Sequence, residues 1–68
     1  LYPNPVKEVL HFSEEVSVTK ITDISGRILK TVAGSIKSLN LSNLGKGTYI
    51  VTAITKSGKN VSEKFIKE

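Results

Sequence analysis

The 68-residue chain has no cysteine, no tryptophan and no methionine. Without cysteine there is no disulfide to staple a small fold and no thiolate to hold a metal. That absence assigns no compartment by itself. His11 is the only histidine, so no second imidazole can complete a His-based metal site. No residue near it reads as an activated nucleophile placed by a third group. The acids are few: Glu8, Glu14, Glu15, Asp23, Glu63 and Glu68. Glu14 and Glu15 are adjacent, and neighbours on extended backbone point apart, which is wrong for a paired acid and base. A calcium loop needs several oxygen ligands close together, and no acid-rich loop exists. Gly45-Lys46-Gly47 lacks the spacing of a phosphate-binding loop. No apolar run approaches the roughly 20 residues that span a bilayer, so direct membrane insertion is not expected. The first residues do not read as a signal peptide. These absences argue against an enzyme, a cofactor and a metal. They leave the surface, the sheet edges and the termini to carry function.

What is present is basic and rich in β-branched residues. Ten lysines and arginines against six acids give a net charge of +4. The lysines are scattered, whereas a nucleic-acid surface clusters them among stacking aromatics. No nucleic-acid partner is expected, and the lysines read as solubility and protection of sheet edges. Tyr2, Phe12, Tyr49 and Phe65 are the only aromatics, so Ile, Leu and Val must fill the core. The length allows one domain, 1–68. A domain of this size buries only about 60% of its unfolded surface and has modest stability.

The stretch from Ile21 to Lys30 organises the rest. It reads as two strands joined at Ser25-Gly26, where glycine tolerates positive φ. Asp23 is expected to accept hydrogen bonds from the backbone of this turn, with Arg27 across from it, so Asp23, Gly26 and Arg27 are read as structural turn residues. Upstream, Tyr2-Pro3-Asn4-Pro5 is stiff and extended. Glu8–Phe12 is a strand with Leu10 and Phe12 on one face, and Ser13-Glu14-Glu15 reads as a polar turn. Val16-Ser17-Val18 alternates, but the apolar phase shifts at Thr19-Lys20, which predicts either a bulge or a bend between two strands. Downstream, strands are expected over Ile28–Val32, Ile36–Leu41, Thr48–Thr55 and Asn60–Lys67. Ser42–Gly47 is a corner, with Ser42 capping one helical turn and Leu44 plugging the core. Tyr49 is placed to bond its hydroxyl back to nearby backbone. Lys56-Ser57-Gly58-Lys59 repeats the Ser-Gly hairpin centre. About seven short strands with frequent turn signals and no helical period predict an all-β fold, a small antiparallel immunoglobulin-like β-sandwich.

Four segments occur together in order: Leu1-Tyr2-Pro3-Asn4-Pro5, Asp23-Ile24-Ser25-Gly26-Arg27, Leu39–Leu44 leading to Gly47–Val51, and Glu63–Glu68. With them the chain resembles the type A C-terminal sorting domain of the type IX (Por) secretion system of Bacteroidetes. Thr22 departs from that pattern, since the family usually has an aromatic residue there. The resemblance implies a non-catalytic signal at the end of a larger secreted protein, of which this chain would be a fragment. It implies a cargo that crosses the periplasm, reaches outer-membrane type IX translocon components, and ends at the cell surface or outside. A sortase-like signal peptidase would then remove the domain upstream of Leu1. By position, recognition by the machinery falls on Gly47, Tyr49, Val51, Lys64, Phe65, Ile66 and Lys67.

The residues themselves fit such a role if the last strand offers its backbone and lysines outward to a partner. On that reading, removing Lys64–Glu68 leaves the fold largely intact. Edge strands also allow weak self-association. The alternative is a fibronectin-like or carbohydrate-associated accessory binding module, which would want aromatics exposed on one face.

Overall fold

The computed structural model describes residues 5–68. It is all-β, with five strands: β1 (Val9–Asp23), β2 (Ile28–Val32), β3 (Ile36–Asn40), β4 (Gly47–Thr55) and β5 (Asn60–Lys67). They pair antiparallel in one open sheet ordered β2-β1-β4-β5, with β3 also on β1. Among the described residues no helix is long and apolar enough to cross a membrane. The stiff segment expected at Tyr2-Pro3-Asn4-Pro5 lies outside the described residues except for Pro5.

The central strand is β1, at 15 residues. Its first half pairs Val9, Leu10 and His11 with Asn40, Leu39 and Ser38 of β3. Its second half pairs Thr19–Thr22 with β2 and Lys20–Asp23 with β4. The two halves face the core in opposite phase. Leu10, Phe12 and Val16 are buried in the first half; Thr19 and Ile21 are buried in the second. An even-to-odd switch needs one extra residue, and Val18 supplies it. Its φ is +50°, and the register with β4 shifts between Ser17 and Lys20. This is a β-bulge, and it keeps apolar side chains inward across a break in alternation.

The strand count therefore differs from the expected seven. The first three predicted strands are one bent strand. Ser13-Glu14-Glu15 is not a turn: it stays extended within β1, and its polarity reports exposure instead of chain reversal. The pairing also lays out one open sheet in place of the two sheets of an immunoglobulin-like sandwich.

A flat sheet of this size would leave both faces wet. Here Val6, Leu10, Phe12, Val16, Ile21, Leu39, Leu41, Val51, Ala53 and Phe65 form one buried cluster. Side chains from both halves of β1, from β4 and from β5 meet in it, so the sheet curls over its own inner face. Val32, Ile36, Leu44 and Tyr49 pack against the cluster from its rim. Ile, Leu and Val supply most of it, as a chain without Trp or Met must arrange.

Candidate functional site

The segments singled out for recognition, Gly47–Val51 and Lys64–Lys67, are cross-strand partners. Gly47 faces Lys67, Thr48 faces Ile66, Tyr49 faces Phe65 and Ile50 faces Lys64. Two stretches far apart in sequence thus make one ladder. Alternation then divides them. Val51, Phe65 and Lys67 turn inward and are buried, Phe65 completely. The Tyr49 ring lies against Phe65, with centroids 5.8 Å apart and planes tilted by 31°. Its hydroxyl donates to the Gly45 carbonyl at 2.8 Å, which ties the corner to the strand. Gly47 has a φ of +154°, and a Cβ there would meet the Tyr49 ring only at ordinary contact distance, so its backbone angle is what favours glycine. Of the seven positions, Lys64 and Ile66 are the exposed side chains on β5.

Sequence reasoning missed the outward neighbours on β4, Thr48 and Ile50. The signal was available. In a strand with apolar side chains on both faces, the residues across from Lys64 and Ile66 must share their face. Thr22, at the departure from the family pattern, reaches the same region: its hydroxyl donates to the Ile50 carbonyl at 3.5 Å.

The end of β5 is not presented outward as expected. β4 holds one edge of Lys67, and Val6 makes a parallel bridge on the other. The Val6 N–H donates to the Ile66 carbonyl and the Glu68 N–H donates to the Val6 carbonyl, each at 2.7 Å. Lys67 is 6% exposed, and its ammonium donates to the Glu68 carbonyl at 2.8 Å. Removing Lys64–Glu68 would take away Phe65 from the core and this clamp with it, so the expectation of an intact truncated fold is overturned. Among the described residues, the outer edge of β5 is unpaired from Asn60 to Phe65.

The structural turn is built as a bracket. The Asp23 carboxylate Oδ1 accepts the Ser25 N–H at 3.0 Å, the Ser25 hydroxyl at 2.6 Å and the Arg27 N–H at 3.0 Å. Arg27 Nε lies 3.3 Å from Oδ2. Gly26 adopts φ +93°, the position that completes a three-residue hairpin loop. The Ser25 hydroxyl, then the backbone N–H groups and the guanidinium, hold the Asp23 carboxyl below its ordinary value. At the other corner, Ser42 does not cap a helical turn. Its N–H donates instead to the Asn40 side chain at 2.9 Å, and Leu44 N–H to the Leu41 carbonyl at 3.0 Å.

No cluster of three or more His, Cys, Asp or Glu is placed to hold a metal among the described residues. Phe12 and Phe65 are core and Tyr49 is half-buried, so these three form no aromatic binding face. The model of the secretion system C-terminal sorting domain, type IX, matches residues 1–68. The chain belongs to that family. No curated protein and no solved structure matches it. A sorting domain is a secretion signal and not a member of a catalytic family. It works with the type IX machinery and marks an exported protein, bound for the cell surface or the extracellular space.

Proposed function

We propose that this sorting domain is a non-catalytic address on a cargo already in the periplasm, read by outer-membrane translocon components of the type IX system. A sortase-like peptidase then removes it upstream of Leu1. The observation that carries this reading is the family match along the whole chain. The β4–β5 ladder gives the address a rigid support: recognition falls on exposed Lys64 and Ile66, while Val51, Phe65 and Lys67 hold the ribbon in shape. Among the described residues the edge of β5 at Asn60–Phe65 is unpaired, which supports strand addition by the reader. Weak self-association belongs to the same reading, through β2, an edge strand with Ile28 and Leu29 exposed.

The test is export of the full-length parent protein with and without residues 1–68. Loss of the domain should leave cargo in the periplasm. Undiminished appearance of the truncated cargo outside the cell would sink the proposal. Mature exported protein should also lack the domain by mass spectrometry, and retention of it would remove the cleavage step.

A further inference from the structure

The outward face of the β1–β4–β5 ribbon has a one-sided charge. In register, Lys20, Thr52 and Ser62 form one row, and Thr22, Ile50 and Lys64 the next. Over Val18–Thr22 of β1 and the lengths of β4 and β5, Lys20 and Lys64 are the only charged side chains on this face. Glu63, the one acid in these segments, lies on the opposite alternation, across from Val51.

Strain points to the same face. Val18 is β-branched at a φ of +50°, a sterically unfavourable conformation for such a residue and one that clusters at functional positions. The core gains nothing from this particular side chain, which is 46% exposed. The bulge aims it outward, to the rim of a shallow depression shared with Lys20, Thr52, Ile54 and Ser62. An apolar branched group is thus held on a wet surface beside Lys20 and Thr52, on the same face as Lys64.

We infer that this face docks an acidic protein surface: a component of the secretion machinery with an apolar ridge and carboxylates to one side of it, the ridge seated on Val18 and the carboxylates on Lys20, one row along, and Lys64, in the row after. Uniform positive charge rejects basic partners and steers acidic ones. The inference rests on the secretion reading above and specifies its surface.

The test uses the full-length parent protein in its host. Charge reversal by Lys20→Glu with Lys64→Glu should lower the exported fraction by about tenfold, the effect of roughly 1.4 kcal/mol of lost docking. Lys59→Glu, exposed at the β4–β5 turn and off this face, should change it less than about twofold. Thr52→Glu should lower export and Thr52→Lys should not, a sign dependence that misfolding would not produce. A photo-crosslinker at Thr52 should form an adduct with a secretion component, and the double reversal should abolish it. If deleting the domain blocks export while the reversals do not, this surface is wrong and the address reading survives. If deletion has no effect, both fail. An adduct within the same chain, or with a second copy, also overturns the inference.

Discussion

Two corners of this sheet use one backbone solution with different chemistry. Between β1 and β2, Asp23 N–H donates to the Arg27 carbonyl and Gly26 N–H to the Asp23 carbonyl, both at 3.0 Å. Between β4 and β5, Thr55 N–H donates to the Lys59 carbonyl at 2.8 Å and Gly58 N–H to the Thr55 carbonyl at 2.9 Å. Gly26 and Gly58 have φ of +93° and +89°. In each corner the first side chain brackets the loop. Asp23 Oδ1 accepts the Arg27 N–H at 3.0 Å; Thr55 Oγ1 accepts the Lys59 N–H at 3.1 Å and shares a 2.9 Å hydrogen bond with the Ser57 hydroxyl.

Burial explains the choice. Thr55 is 6% exposed, and the loop beside it is tied to the extended Ser13–Glu15 stretch, where the Glu15 carbonyl accepts the Lys56 N–H at 3.1 Å. A carboxylate there would lose water, and the exposed Lys59, which stands where Arg27 does in the other corner, would offset only a small part of that cost. Asp23 keeps some access to solvent and has Arg27 alongside. A buried bracket therefore takes a neutral hydroxyl, and a wetter one takes a charge.

The sharpest way to break this comparison is to exchange the brackets. Thr55→Asp should destabilise the domain by roughly 2 kcal/mol or more at neutral pH, because a charge is buried. Asp23→Thr should do much less harm, since the hydroxyl keeps an acceptor for the Arg27 N–H. Denaturant unfolding of the two variants reads the difference, and equal losses would refute the burial argument. Next in size are Gly26→Ala and Gly58→Ala. No atom lies within 4 Å of a Cβ at either site, so the cost is all backbone, about 1–2 kcal/mol. The two losses should match, and a clear gap between them would mean the corners are less alike than their hydrogen bonds.

The smallest effect is in pH. The folded Asp23 carboxyl sits below its ordinary 3.8, so it binds protons less readily than in the unfolded chain. Its contribution is complete above that ordinary value and is lost as pH falls through the lower folded one. Asp23→Asn should remove that acid-dependent part, while Thr55→Ser leaves it unchanged. An acid limb that persists unchanged in Asp23→Asn would show that the corner does not titrate.

Much of this is legible in the sequence. Both Ser-Gly corners are local, so five residues carry the geometry. The break in alternation at Thr19-Lys20 already required a bulge or a bend, and Leu10 and Phe12 already shared a face. Other features are not legible there. Ser13–Glu15 looked like a turn because polarity marks exposure equally well in a strand. β1 looked like three strands because its apolar phase changes within it. Lys67 looked like an outward cation because nothing in the tail announces that Val6 pairs with it. The candidate recognition residues were found as two separate stretches; that they form a single ladder, with Thr48 and Ile50 on its outward side, was not seen.

By itself the sequence determined the all-β class, the positions of the corners, the apolar stock of the core and the family to which the chain belongs. These depend on backbone preferences and spacing within a few residues. Tertiary structure alone decided which tail residues are buried, that Val6 meets the end of β5 and which face gathers Lys20 and Lys64. Those outcomes depend on register between strands distant in sequence, and a shift of one residue would exchange the inner face for the outer.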